Sequence, residues 1–289
     1  MPQFDYVAPA SVDEAIKALM GAPEARVLAG GTDLIVQMRA GRVRPGAVVD
    51  VKRIPGAIGV KRESDGAYRV GAATSGADLG EHATLRRDWP GVVEAANLIG
   101  STQVQGRASL GGNLCNASPA ADSVPALIAA RATCVIVGPS GQREAPVEAI
   151  QVGPGRTSLQ PGEFVLEFRL PPRPKRAADA YLRLIPRTEM DIAIVGAGVS
   201  LALGADGKIA EAYVALGAVA PTCLLVEPAG EALVGDKLTE AALEKLDAAA
   251  RDICNPIDDK RGTIDYRVKI AGVLARRAAA IAYARAEAR

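Results

Sequence analysis

Two glycine pairs, about eighty residues apart, constrain this chain more than any other feature. The first lies in residues 28–34 and the second near the start of residues 109–122. Glycine has no Cβ and takes positive φ readily, so such loops let backbone N–H groups come close to an anion. Each loop alone could be an ordinary tight turn. Together they indicate a pyrophosphate held from both sides, and therefore a dinucleotide cofactor rather than a nucleotide that is hydrolysed.

Charge and composition exclude several classes of function. The 289 residues carry 34 basic and 33 acidic side chains, so nothing indicates a basic surface for nucleic acid or an anionic membrane. Aromatic residues make up 3%, too few for platforms that stack single-stranded bases. No apolar run approaches the roughly 18 residues that span a bilayer. The N-terminus has neither the basic start nor the apolar core of a signal peptide. We therefore expect a soluble, cytoplasmic protein.

The cysteines and the single histidine argue against a metal centre in this chain. Cys115, Cys134, Cys223 and Cys254 have spacings that fit no zinc or iron–sulfur motif. We expect free thiols, as is usual in a reducing cytoplasm, and no metal site. The only histidine, His82, is expected on the polar face of a helix. Any iron–sulfur cluster that works with this protein must then belong to another chain.

Local signals predict three consecutive units: residues 1–55, a small βαβ-like lobe; residues 56–175, a second lobe; and residues 176–289, a unit with a hairpin and two long helices. Ser11 and Glu14 form a capping box for a helix that stops at Gly21. A strand–turn–helix pattern surrounds the first glycine pair and adds a helix N-terminus to the anion site. The remaining expected strands are 47–51, 68–72, 132–137, 163–170, 191–203 and 209–219. The expected helices are 76–86, 90–99, 122–130, 239–253 and 263–287.

The residues alone leave the role of Asp122 open, and they argue against two other interpretations. The glycine-rich passage 100–121 is too polar, and its side chains too small, for an element of the core. Asp122 either caps the following helix or accepts hydrogen bonds from ribityl or ribose hydroxyls, and the residues alone leave both interpretations open. Gly196 and Gly198 begin like a dinucleotide-binding fingerprint, but Leu201 stands at its third glycine position. The pattern continues as a plain strand.

Residues 28–34 and 109–122 resemble the two flavin-binding signatures of the FAD-binding medium subunit of molybdenum hydroxylases. This is the family of the aerobic carbon monoxide dehydrogenase medium subunit and of the middle domain of xanthine dehydrogenase. The resemblance covers essentially the whole chain. Further matching segments are residues 70–74, 153–157, 161–163, 190–195, 216–222 and 265–267.

The resemblance implies an α+β fold. A two-lobed vanillyl-alcohol-oxidase-type (PCMH-like) FAD-binding domain would be followed by a C-terminal α+β domain of the CO dehydrogenase flavoprotein type. FAD would be bound non-covalently, since no histidine or cysteine lies in a plausible attachment position. Molybdopterin and [2Fe–2S] clusters would belong only to partner subunits.

The resemblance also assigns residues to parts of FAD. The pyrophosphate would be held by Ala29, Gly30, Gly31, Thr32 and Asp33, with Leu28 and Leu34 beside it. The second signature, including Leu110, would grip it from the other lobe through Ser109, Gly111, Gly112 and Asn113. Asn116 and Asp122 would bind the ribityl chain, and Ile99, Ala108 and Val165 would line the adenine or ring pocket. Arg183 would lie near the isoalloxazine, where a fixed cation could stabilise the anionic reduced flavin.

The implied function is electron transfer. The chain would take electrons from [2Fe–2S] clusters of a small subunit, beside a molybdopterin-binding large subunit, in a dimer of heterotrimers. Gln105 departs from the arginine found in relatives, which could affect docking to the iron–sulfur subunit or the flavin potential. No catalytic acid–base pair is expected. One alternative is a stand-alone FAD-dependent oxidase or dehydrogenase of the same flavin fold, and another is a nucleotide-sensing or assembly protein without redox function.

Overall fold

The computed structural model describes residues 3–289, which form three main β-sheets and a two-stranded ribbon, with helices packed on the sheets. Residues 1 and 2, at the start of the predicted unit 1–55, lie outside the described part. No helix within residues 3–289 combines the length and apolar character that crossing a bilayer requires.

The first sheet has three short parallel strands near the N-terminus. The Ser11 hydroxyl accepts a hydrogen bond from the Glu14 backbone N–H (3.2 Å), so the predicted cap starts the first helix. Gly21 is the last residue of that helix rather than its stop. The elements are β1 (Asp5–Val7), α1 (Val12–Gly21), β2 (Arg26–Leu28), α2 (Leu34–Arg39) and β3 (Ala47–Asp50), with strand order β1–β3–β2.

The second sheet has five antiparallel strands. Six short helices lie between its second and third strands along the chain. The elements are β4 (Val60–Arg62), β5 (Tyr68–Gly71), α3 (Gly76–Glu81), α4 (Ala83–Asp88), α5 (Pro90–Ala96), α6 (Thr102–Gln105), α7 (Leu110–Cys115), α8 (Ser123–Ala129), β6 (Thr133–Gly138), β7 (Gly141–Pro146), the ribbon strands β8 (Gln151–Gly153) and β9 (Arg156–Thr157), and β10 (Phe164–Leu170). The order in the sheet is β4–β5–β10–β6–β7.

The passage 100–121 was wrongly predicted to lack core elements. It contains α6 and α7, and Leu110 and Leu114 on α7 are buried in the main hydrophobic core. Small residues allow this packing, because a Cβ on Gly111 would stand only 2.6 Å from the carbonyl oxygen of Ala72. The feature that argued against a buried helix is therefore what lets the helix approach the sheet.

The predicted helix 76–86 is two helices that meet at His82. The Nδ1 atom of His82 accepts a hydrogen bond from the backbone N–H of Leu85 (3.2 Å), so the imidazole caps α4. The side chain is half-buried rather than displayed on a polar helix face. A cap from histidine has no sequence signature comparable to serine or aspartate, which explains why the break was not predicted.

The third sheet has four antiparallel strands, covered on one side by the long C-terminal helix. The predicted plain strand at Gly196 and Gly198 is confirmed. These glycines leave room for neighbours, since a Cβ on Gly198 would stand 2.6 Å from the carbonyl oxygen of Pro125 on α8. The elements are β11 (Ala177–Leu184), β12 (Val195–Leu203), β13 (Ile209–Gly217), β14 (Leu224–Leu225), α9 (Glu227–Glu231), α10 (Glu240–Asp252) and α11 (Ile264–Glu287), with strand order β11–β12–β13–β14.

Candidate functional site

A cavity lies between the first and second sheets, and both glycine-pair loops form its walls. The cavity has a volume of about 300 Å³. All but three of the site residues expected from the sequence line it. The expected residues that line it are Leu28, Ala29, Gly30, Gly31, Thr32, Asp33, Leu34, Ile99, Ala108, Ser109, Gly111, Gly112, Asn113, Asn116 and Val165.

The first glycine loop passes so close to the second half of the cavity that only glycine fits. A Cβ on Gly30 would overlap the carbonyl oxygen of Arg107, and Gly31 has a φ of +76°. Within residues 3–289, none of the backbone N–H groups from Gly30 to Leu34 donates a hydrogen bond to another protein group. Consecutive free donors of this kind form a nest for an anion.

Lys52 fixes the direction of one peptide in this loop. Its Nζ donates a hydrogen bond to the Ala29 carbonyl oxygen (2.7 Å) and lies 2.7 Å from the Asp50 carboxylate. In a planar trans peptide the C=O and the N–H point in opposite directions. The Ala29 carbonyl points to Lys52, which does not line the cavity, so the Gly30 N–H of the same peptide points away from Lys52. Burial alone would raise the pKa of Asp50, but hydrogen bonds from Lys52 and Tyr6 outweigh it and lower that pKa.

The second glycine loop has few free backbone donors, which differs from the expected grip by amides on both sides. The Gly111 N–H donates to the Ala72 carbonyl oxygen (2.9 Å), and the Asn113 N–H donates to the Ser109 carbonyl oxygen (3.0 Å). The Gly112 N–H donates to the Ser109 hydroxyl (3.2 Å), which caps α7. The helical turn that was not predicted for this passage therefore uses the donors that a nest would need.

Two side-chain amides take the place of those backbone donors. The Asn113 Oδ1 accepts hydrogen bonds from the Ser123 N–H (3.0 Å) and hydroxyl (2.7 Å), and the Asn116 Oδ1 accepts one from Gln37 Nε2 (2.8 Å). Within residues 3–289 neither Nδ2 group donates to a protein acceptor, and neither is a buried unpaired atom. Both asparagines line the cavity, so this wall presents N–H₂ donors.

Comparisons with known proteins show the family of this chain. Residues 2–173 match the family described as "FAD binding domain in molybdopterin dehydrogenase", and residues 180–282 match "CO dehydrogenase flavoprotein C-terminal domain". The chain belongs to this family of FAD-binding subunits. Its relatives include the carbon monoxide dehydrogenase medium chain of Hydrogenophaga pseudoflava, at 34% identity over 98% of both chains. The xanthine dehydrogenase FAD-binding subunit of Escherichia coli O157:H7 is 30% identical over 92% of both chains.

Solved structures of related enzymes have the same fold as this chain. A chain of the reconstituted CO dehydrogenase from Oligotropha carboxidovorans superposes with a TM-score of 0.93, at 34% identity, with 99% of both chains covered. A chain of quinoline 2-oxidoreductase from Pseudomonas putida 86 superposes with a TM-score of 0.89, at 26% identity, covering 99% of this chain and 98% of that one. The predicted family and the predicted α+β fold are therefore confirmed.

Three expected site residues of this FAD-binding subunit lie away from the cavity wall. Leu110 is buried in the core. Asp122 forms a buried ion pair with Arg183 (2.6 Å) and accepts a hydrogen bond from the Tyr181 hydroxyl (3.1 Å). Burial raises the pKa of Asp122 to about 6, although Arg183 and Tyr181 oppose that rise. The Asp122 side chain makes no cap hydrogen bond to α8, so the cap interpretation is wrong.

Several cavity residues were missed from the sequence. Gln37 is the most informative of these residues. It lies one helical turn after Asp33, so both side chains lie on the same side of α2. Desolvation in the cavity raises the pKa of Asp33 itself. Cys115 also lines the cavity, where no cysteine was expected, and the residue is exposed.

Gln105, the position that departs from relatives, has a local structural role. Its side-chain amide donates a hydrogen bond to the carbonyl oxygen of Asn97, the residue that ends α5. The side chain thus ties α6 to the end of α5, beside the passage that leads to the second glycine loop.

Proposed function

We propose that this chain is the FAD-carrying electron-transfer subunit of a multi-subunit molybdenum hydroxylase. The cavity between the two glycine loops carries the proposal, because one wall offers five consecutive free N–H groups in a segment that matches an FAD-binding family. Bound FAD supplies the redox chemistry, taking electrons from [2Fe–2S] clusters of a partner subunit and passing them to an external acceptor.

The residues of this chain bind and orient the cofactor. We propose that the N–H groups from Gly30 to Leu34 hold the pyrophosphate. Asn113 and Asn116 donate to it from the opposite wall, so Asn116 is assigned to the pyrophosphate and not, as the resemblance implied, to the ribityl chain. Ile99, Ala108 and Val165 offer apolar wall area for a ring. We assign Asp122 and Arg183 an indirect role, because their buried pair joins α8 to β11 behind the cavity wall.

The assembly we propose contains a molybdopterin-binding large subunit and a [2Fe–2S] small subunit, in a dimer of heterotrimers. The medium-chain relatives support this composition, since their names are those of subunits of dehydrogenases. A cytoplasmic location is proposed from the four free cysteines. Boundaries of the three units near residues 55 and 175 are supported by the separate sheets and by the family matches, which end at 173 and resume at 180.

The test is native purification from the source cells, followed by absorption spectroscopy and identification of co-eluting chains. We expect a flavin spectrum in the chain itself and two further subunits that carry molybdenum and iron. A flavoprotein that elutes alone and oxidises a substrate by itself would favour the stand-alone oxidase. A colourless chain that takes up no added FAD would overturn the proposal altogether.

A further inference from the structure

We infer that Gln37 is a positioning residue that holds Asn116 as a hydrogen-bond donor to FAD. The inference deepens the proposed function and rests on it. Gln37 belongs to α2 in the first half of the cavity, and Asn116 follows α7 in the second half. Their hydrogen bond of 2.8 Å joins side chains 79 residues apart in the chain.

The direction of this hydrogen bond decides what Asn116 offers to a ligand. A side-chain amide has one acceptor end and one donor end, so it can present either to a cavity. Gln37 Nε2 occupies the acceptor end, Oδ1, and leaves the Asn116 Nδ2 without a protein acceptor among residues 3–289. An oxygen of a pyrophosphate can only accept, so a free Oδ1 in the same place would repel it.

Asn113 is held in the same way as Asn116, through hydrogen bonds to its Oδ1 atom. Its Oδ1 is occupied by Ser123, which lies ten residues along the same segment. Gln37 differs from Ser123 because it comes from the opposite side of the cavity. The Asn116 Nδ2 is therefore oriented toward the cavity only when the two halves are together. This links closure of the cavity to recognition of the anion.

The experiment titrates FAD into the full chain, stripped of flavin, and follows the quenching of flavin fluorescence. Gln37→Ala removes the donor and should weaken FAD binding about fivefold, the typical effect of one hydrogen bond. Gln37→Glu, which is nearly isosteric, should weaken binding further, because a carboxylate only accepts and would turn the Asn116 Nδ2 away from the cavity. Val36→Ala, on the same helix but 61% exposed, is the control and should bind FAD like the wild type.

Substitutions of Gln37 in an Asn116→Ala background separate positioning from other effects. We expect Gln37→Ala and the neutral, similarly sized Gln37→Met to add no loss there, because the side chain through which they act is absent. Losses that simply add would overturn the inference, as would a Gln37→Ala variant with wild-type affinity. Far-UV circular dichroism identifies any variant that fails to fold. If Gln37→Ala fails, Gln37→Met carries the test, measured with and without Asn116→Ala. A wild-type chain that binds no FAD would instead refute the proposed function.

Discussion

A methyl group added at Gly30 should separate the two halves of the cavity. The new carbon would overlap the carbonyl oxygen of Arg107 and stand 3.1 Å from the backbone nitrogen of Ala108. Both atoms belong to backbone, so no side chain can rotate away. Restoring ordinary contact requires the two backbones to part by about 2 Å.

The size of the effect follows from the cost of overpacking, which is about 1–3 kcal/mol for a methyl group without space. We expect the halves to part in the cofactor-free variant, which would relieve much of that strain. Binding a pyrophosphate between them requires closure, so the cost should appear in the affinity for FAD. We expect Gly30→Ala to weaken FAD binding by about five- to 150-fold.

The assay is an FAD titration together with thermal unfolding with and without saturating FAD. Gly106→Ala is the matched control, since Gly106 immediately precedes Arg107, has a φ of −66°, and a Cβ there would meet no atom within 4 Å. The control should bind FAD like the wild type. A Gly30→Ala variant with wild-type affinity, and with the same stabilisation by FAD, would refute the reasoning about closure.

Three further predictions test other parts of the site. Lys52→Met should weaken FAD binding about tenfold in the same titration, because it frees the Ala29 carbonyl, whereas Lys61→Met, 74% exposed, should not change the affinity. The Asp122 pKa of about 6, against an ordinary 3.8, means that the folded chain retains a proton that the unfolded chain releases. Wild-type stability against urea should therefore fall as the pH rises from about 4 to about 6, and Asp122→Asn should remove that slope. FAD should protect Cys115 from a neutral thiol reagent, as measured by mass spectrometry, and equal labelling with and without FAD would place the cofactor elsewhere.

The sequence predicted long elements and the first glycine loop well, because their signals are local. Ser11 and Glu14 start α1 as expected, and the two C-terminal helices lie within a few residues of their predicted bounds. A serine or threonine cap followed by apolar residues at helical spacing needs no distant partner to be recognised. The first glycine loop also depends mainly on its own backbone, which small residues permit.

Features that depend on distant partners were not predictable in this way. Its neighbours alone allow Asp122 to be a cap or a ligand, yet its partner Arg183 lies 61 residues away, on β11 of the third sheet. Gln37 and Asn116 are 79 residues apart, so nothing in either segment indicates their hydrogen bond. The burial of Leu110 depends on how closely Gly111 approaches Ala72, which also is a tertiary contact.

The two glycine pairs look equivalent in sequence, but they have different structural roles. Gly30 and Gly31 lie before a short helix and leave their N–H groups free, so that loop can bind an anion through its backbone. Gly111 and Gly112 lie inside a helical turn, where their N–H groups already have acceptors, and their lack of side chains serves close packing instead. A loop that uses its donors internally can contribute to an anion site only through side chains. The asparagines on that wall meet this requirement, and their amide orientation, rather than a second glycine nest, should govern recognition there.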